Sequence, residues 1–272
     1  MIIKDELEKL GITASKSKGQ NFLYDPVALT SIAAFCSLPE GANVVEIGPG
    51  LGALTERLQD YHDSYIAYEI EPKFCEYLSK KYPKISIENT DIRDVRLSCD
   101  SVTKYSVVGN VPYSISSDIV LWILDNYRTV STATLLLQKQ FSERLSATSN
   151  TKAYSALSVK TQLYANVELG PVISGNSFHP IANVESQVVK LIFRDNPLYE
   201  LTNETIFRAI VKSGFGQRRK TLLNSLMSSE LFANKSEVEI LLNKAAIDPK
   251  RRAETLSVKE FVNLSNLYSS DV

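Results

Sequence analysis

The chain has 272 residues, 44% hydrophobic and 22% charged, the balance of a globular protein with one large domain or a large one plus a small one. Its 30 Lys+Arg against 31 Asp+Glu leave a net charge of −1, so no global nucleic-acid signature exists and any basic binding face is local. No apolar run approaches the ~20 residues of a membrane helix, and the start is charged at once (Lys4, Asp5, Glu6), without the pattern of a secretory leader.

Cys36, Cys75 and Cys99 are scattered, and only His62 and His179 accompany them. That spacing makes neither a disulfide framework nor a metal site; the cysteines read as small buried residues of a reduced, cytoplasmic protein. Along the chain, Asp25 before Pro26 predicts a helix N-terminus. From about 43 to 138, short apolar runs alternate with helical patterns. Strands are predicted at 43–48, 64–70, 85–88, 105–110 and 132–138. A helix from Pro72 to about Tyr82 opens behind Glu71 as an acidic cap, and another runs from Ser116 to Tyr127. Such alternation predicts an α/β fold with a parallel sheet covered on both faces. Runs near Val167 and Val188 add strands without intervening helices, hence an antiparallel addition. Past Phe193 come breaker residues, then helices only, with Ser236/Glu239 and Ser257/Glu260 spaced as capping boxes. The predicted domains are 1–194 and a small helical one, 195–272.

The chemistry gathers at predicted strand ends. The first strand runs into Glu46, Gly48, Gly50, Gly52 and Ala53. Such glycines suit a sharp turn against a ligand, and the spacing also satisfies a dinucleotide fingerprint with Glu69 as its distal acid. An acid at 46 suits a cationic ligand and opposes a pyrophosphate. Glu69, ending the second strand, can accept ribose hydroxyls. Asp91, with Ile92 after the third, can accept an adenine amino group. Together they describe a pocket for adenosine carrying a positive tail, S-adenosylmethionine. The fourth strand ends in Asn110, Val111, Pro112 and Tyr113. Asn110 and the Val111 carbonyl can hold an adenine amine whose lone pair is otherwise delocalised. Pro112 sets the turn, and Tyr113 offers a ring for the flipped base. Methyl transfer from a sulfonium leaves a neutral thioether, so positioning serves in place of a strong base.

With these residues in hand, the chain resembles the ribosomal RNA adenine dimethyltransferase family, in its small-subunit branch, from about Lys16 to Phe261. The resembling segments are 16–23, 46–52, Glu69, Asp91, 110–113, 138–145, Phe215 to Leu226, and 252–257. Ala182 stands where the family's loop usually has Pro, and Ser155 where Gly is usual. The resemblance implies a Rossmann-like S-adenosylmethionine-dependent methyltransferase domain with a C-terminal all-helical domain. It implies cofactor contacts from Asn21, Leu23, Gly48, Glu69, Asp91 and Asn110, and a segment 16–23 that closes over the cofactor. The implied reaction dimethylates two adjacent adenosines near the 3′ end of small-subunit rRNA within a ribosomal particle. Arg208, Lys212, Arg218, Arg219 and Lys220, with Lys250 to Arg252 as a second cluster, read as phosphate contacts. In this reading 208, 212 and 219 share one helix face. A monomer without metal or membrane is expected. The rivals are a large-subunit rRNA adenine methyltransferase of the macrolide-resistance type, a ribosome-assembly or transcription factor that keeps the fold, and, more distantly, a nicotinamide dehydrogenase.

Overall fold

The computed structural model describes residues 3–14, 21–61, 64–98 and 104–271. The expectations placed on 16–20, His62 and Cys99 lie outside the described residues. The strands are β1 (Phe22–Leu23), β2 (Asn43–Ile47), β3 (Ser64–Tyr68), β4 (Ser86–Glu88), β5 (Tyr105–Asn110), β6 (Val130–Gln138), β7 (Ala165–Ile173), β8 (Phe178–His179) and β9 (Ser186–Phe193). Near-continuous apolar runs such as those of β2, β5 and β6 bury side chains on both faces of a sheet. They take its centre: Val45, Val107, Val108, Leu135 and Leu137 are fully buried. The seven-stranded order is β4-β3-β2-β5-β6-β9-β7. β4, β3, β2, β5 and β6 are mutually parallel, and β9 is the predicted antiparallel addition, paired with β6. β1 and β8 form a separate two-stranded ladder, Phe22 opposite His179 and Leu23 opposite Phe178.

The helices are α1 (Ile3–Lys9), α2 (Pro26–Cys36), α3 (Thr55–Leu58), α4 (Pro72–Lys81), α5 (Ser116–Asp125), α6 (Lys139–Ser146), α7 (Ala156–Tyr164), α8 (Glu204–Gly216), α9 (Leu222–Leu226), α10 (Lys235–Lys244) and α11 (Val258–Asp271). Asp25 caps α2 as predicted, accepting from the amides of Val27 and Ala28. At the other end of α2 the buried Lys190 of β9 donates Nζ to Cys36 O at 2.8 Å, a cation placed on the helix's negative end. Two cap predictions need correction. Glu71 precedes α4 but makes no side-chain capping bond; the Glu69 carboxylate receives its amide instead. Ser236 is not a cap, because α10 starts earlier: Asn234 accepts from the Glu237 amide, and Glu237 returns a bond to the Ala233 amide. Ser257 and Glu260 do form the reciprocal box, at 3.3 and 2.8 Å.

The chain divides into two compact units, 1–142 with 168–193, and 143–167 with 194–272. The second unit is thus not one contiguous C-terminal segment, as 195–272 had been drawn. It recruits 143–167 because α7 packs on α8 and α11 and because Tyr154 meets Phe215 edge-on, which in turn stacks on Phe261. Asn150 also donates its amide to Glu254 O at 2.8 Å. Within the first unit, the strand order reverses at β2, between β3 and β5, and that reversal places the site.

Candidate active site

In open parallel sheets, ligands bind at the carboxyl ends of the strands beside such a reversal. A cavity of about 400 Å³ lies there, built from first-unit residues alone. Of the residues predicted from sequence, Asn21, Leu23, Glu46, Gly48, Gly50, Glu69, Asp91, Ile92, Asn110, Val111, Pro112 and Tyr113 all line it.

The turn after β2 is built first. Gly48 donates its amide to Tyr68 O at 2.9 Å, carrying the β2–β3 register one step past the strand. Gly50 has φ of +58°, and a Cβ there would stand 3.3 Å from the Phe22 ring. The left-handed backbone favours glycine here, and a Cβ would also press on the edge of the Phe22 ring. Gly52 is the exception among the predicted glycines, because it does not line the cavity. Its φ is +80°, and a Cβ would lie 2.7 Å from Tyr82 and 2.8 Å from Leu78. It packs the turn against the end of α4, and Tyr82 donates its hydroxyl to Gly52 O.

Three acids follow at successive strand ends. Glu69, just after β3, accepts from the Gly50 amide at 3.1 Å and from the Glu71 amide at 3.0 Å. Its carboxylate thus ties the glycine turn to the start of α4. Burial raises its pKa, and the backbone amides of Glu71, Gly50 and Ile70 pull it back. Glu46 is buried inside β2, where a single carboxylate oxygen accepts from Thr55 Oγ1 at 2.6 Å and Tyr65 OH at 2.8 Å. Desolvation pushes this carboxyl up to about 7; its two donors oppose that, and the charge of Glu69 adds to it. Asp91 follows β4 and is held by Arg93, which forks Nε and a terminal nitrogen onto the carboxylate at 3.0 and 2.6 Å. That bond, the largest cause, keeps Asp91 below the ordinary carboxylate range. Glu69 takes one of these donors on each oxygen and keeps acceptor capacity on both, whereas Asp91 also takes the Arg93 amide on Oδ1, so a further donor there shares an oxygen with Arg93.

Asn110 closes the arc at the end of β5. Its Nδ2 donates to Asn21 O at 3.1 Å, which leaves the amide oxygen as this side chain's acceptor for an incoming amine. Pro112 turns the chain, and Tyr113, half-buried, shares a 2.7 Å hydrogen bond with the buried Ser186 Oγ at the start of β9. Among the described cavity residues none is His or Lys.

Sequence reasoning passed over several participants. Thr55 and Tyr65 hold Glu46, Arg93 grips Asp91, Ser186 holds Tyr113, and Phe22 covers Gly50. Arg93 was legible as a charge two residues past Asp91. The others meet their partners only through the fold. The two departures from the family pattern also acquire explanations. Ser155 exchanges hydrogen bonds with Ser158 at the head of α7. Ala182 donates its amide to Gly175 O at 3.1 Å, a bond that Pro cannot make.

The basic residues of the second unit are less uniform than predicted. α8 ends at Gly216, so Arg219 lies in a turn and shares no helix face with Arg208 and Lys212. Arg208 is paired with Glu204 at 2.7 Å, and Arg218 donates to Lys152 O at 2.6 Å. Lys212, Arg219 and Lys220 are exposed. In the second cluster, Arg251 pairs with Glu260 and so supports the start of α11, while Lys250 and Arg252 are exposed.

The family model for ribosomal RNA adenine dimethylase matches residues 11–270 of this chain. Ribosomal RNA small subunit methyltransferase A of Anoxybacillus flavithermus is 37% identical over 273 residues, covering 96% of this chain and 92% of its own. The protein of the same name from Bacillus mycoides is 37% identical over 279 residues, 97% and 94% of the two chains. Among solved structures, the 23S rRNA methyltransferase ErmE aligns with a TM-score of 0.68 at 27% identity, over 92% of this chain and all of its own (100%). A dimethyladenosine transferase from Plasmodium falciparum aligns at 0.75 with 23% identity, over 89% and 95%, and speaks to the fold alone.

Proposed function

The chain belongs to the ribosomal RNA adenine dimethylase family, and from that premise we propose that it dimethylates two adjacent adenosines near the 3′ end of small-subunit rRNA, using S-adenosylmethionine. The observation that carries the reading is the arc of acceptors on one cavity: Glu69, Asp91 and Asn110 at the carboxyl ends of β3, β4 and β5, parallel strands of one sheet with β2 between β3 and β5. A nucleoside with a cationic tail fits this set. The cavity volume suits a cofactor of that size. Its ionisable groups are mainly carboxylates, which oppose a pyrophosphate and favour a positive ligand.

Bound S-adenosylmethionine supplies an electrophilic methyl group on a positively charged sulfur. The protein's part is to bind and to orient. Glu69 accepts the ribose hydroxyls while remaining fixed by two backbone amides. Asp91, ionised under the grip of Arg93, accepts from the adenine amino group of the cofactor. Gly48 and Gly50 let the ligand approach the backbone, with Asn21, Leu23 and Ile92 completing the walls. At the target, Asn110 Oδ1 and the Val111 carbonyl hold the two amino hydrogens of the flipped adenine. That bends the nitrogen toward tetrahedral geometry and aims its lone pair at the methyl group. Tyr113, held by Ser186, backs the ring by stacking, worth ~1–3 kcal/mol. The amine's proton leaves after attack, when its pKa has collapsed, so water suffices to take it. Since these interactions tighten as the nitrogen becomes tetrahedral, they act chiefly on kcat.

The small-subunit target is favoured over a large-subunit one by the identities: 37% to small-subunit enzymes across nearly the whole chain, against 27% to the 23S enzyme. A helical unit bearing exposed Lys212, Arg219 and Lys220 seats the enzyme on rRNA phosphates in a cytoplasmic ribosomal particle. The test is to incubate the protein with labelled S-adenosylmethionine and unmethylated small or large subunits and to map the label. Label on two neighbouring adenosines of small subunits supports the reading; label confined to large subunits, or none, overturns it. Asn110→Ala is expected to remove most transfer with cofactor affinity little changed.

A further inference from the structure

Four exposed apolar side chains of the first unit belong to one knot of chain outside the cavity. Tyr24 is 50% exposed, Val27 76%, Ile181 63% and Val184 45%. The knot is tightly fastened. The β1–β8 ladder joins 22–23 to 178–179. Tyr24 donates its amide to Ser177 O and its hydroxyl to Asn176 O at 2.9 Å, and Ser177 Oγ donates to Asp25 at 2.8 Å. Gly175 lies so close to the other segment that a Cβ there would stand 2.1 Å from Ala182 O and 3.4 Å from Val184 O. Residues 24–27 and 181–184 are therefore two edges of one small surface.

That surface is fixed to the catalytic turn from both sides. Asn21, three residues before Tyr24, accepts from Asn110. Ser186, two residues after Val184, bonds to Tyr113. Asn21 to Leu23 line the cavity, whereas Tyr24 and the three aliphatic residues do not. The patch is thus a rim beside the place where the target base reacts.

We propose that Tyr24 is the stacking platform for the nucleotide next to the target adenosine, with Ile181 and Val184 completing an apolar rim. The proposal rests on the adenosine-methylation reading. A base drawn out to Asn110 brings its neighbours along the phosphodiester chain, and deaminases and other base-flipping enzymes meet those flanking nucleotides at the pocket's edge. Tyr24 is suited to this. Its hydroxyl is tied to the backbone, so the ring has little freedom left to lose when a base stacks on it. The charged groups at the rim are already engaged, Asp25 with Ser177 and Glu185 with Lys139 at 2.9 Å. The described residues of this surface therefore offer a π-face and aliphatic edges. Stacking is tolerant of base identity, so this contact orients the RNA without choosing its sequence.

Unmethylated small ribosomal particles and S-adenosylhomocysteine are the probes. Tyr24→Ala is expected to raise KM for the particles about 5- to 100-fold, the loss of one base stack, with S-adenosylhomocysteine affinity and Tm unchanged. Tyr24→Phe and Tyr24→Trp, which keep a ring, should stay near wild type. An unchanged KM in Tyr24→Ala overturns the proposal. Equal damage from Tyr24→Phe overturns it too, because the bond to Asn176 and not the ring would then matter; so does a parallel loss of S-adenosylhomocysteine affinity. A photoreactive phenylalanine analogue at position 24 gives an answer independent of folding effects. Crosslinks to the nucleotide flanking the methylated adenosines support the platform, and crosslinks to a ribosomal protein refute it. Wild-type enzyme that leaves the particles unlabelled refutes the methylation reading itself; active wild type with an indifferent Tyr24→Ala refutes only the platform.

Discussion

Glu46→Gln isolates a carboxyl that burial has strongly perturbed. The carboxyl is buried, and burial lifts it from the ordinary 4.5 to about 7. A carboxyl raised on folding means that the native state binds more protons than the unfolded chain between those values. Stability from this group is therefore fully present below pH 4.5, falls as pH rises toward 7, and is level above it. The whole interval amounts to about 3 kcal/mol at 1.36 kcal/mol per pH unit, and the stretch from pH 5.5 to 8 contains about 2 kcal/mol of it. Gln keeps an acceptor for Thr55 and Tyr65, which both donate to one oxygen of Glu46, and does not titrate. Urea unfolding of both proteins without ligand, at several pH values, measures the difference directly. The variant should gain about 2 kcal/mol on wild type between pH 5.5 and 8. Every other titrating group, including Glu69, is common to both proteins. Parallel stability curves would refute the desolvation argument and mean that water reaches this carboxylate.

Three further outcomes are expected. Gly52→Ala forces a left-handed residue against Leu78 and Tyr82 and should cost about 2–4 kcal/mol in urea unfolding, since strain and overpacking add. Glu69→Gln removes the charge of a cavity carboxylate and one acceptor of a backbone amide; on the proposed ribose contact, calorimetry with S-adenosylhomocysteine should show about 10- to 100-fold weaker binding. Replacing Lys212, Arg219 and Lys220 together with Ala should make the slope of log affinity against log salt shallower by roughly 0.7–0.9 per lost phosphate contact, at unchanged Tm and cofactor affinity.

Much of the first unit was legible because its signals are local. Apolar runs mark β2, β5 and β6, with glycine or proline following β2 and β5, and a carboxylate or amide at or just past the ends of β3, β4 and β5 lands on the cavity. Gly52 shows where that logic stops. In sequence it continues the glycine series of Gly48 and Gly50; in space it faces α4, because each step along a tight turn redirects the chain. The β1–β8 ladder was invisible for another reason. Two-residue strands have no periodicity, and their pairing spans more than 150 residues, as the Phe22–His179 register does. The allocation of 143–167 to the second unit was equally hidden. It depends on Tyr154 meeting Phe215, and nothing in the spacing of those aromatics announces a partner.

The basic residues make the same point about function. A run of Lys and Arg reads as one face when only charge is counted, yet the fold sorts it by partner. Arg208 is paired by Glu204 one helical turn away, a bond worth about 0.3–0.5 kcal/mol to α8. Arg218 is spent on Lys152 O, and Arg251 on Glu260 and Thr255, which fix the entry to α11. Removing one of these alters the scaffold as well as the charge. A loss of particle binding in Arg218→Ala or Arg251→Ala therefore does not identify a phosphate contact, whereas the same loss in Arg219→Ala or Lys220→Ala, whose side chains are exposed in the turn after α8, does. The salt slope separates the two kinds of residue, because a scaffold defect lowers affinity at every ionic strength alike and leaves the counterion stoichiometry as it was.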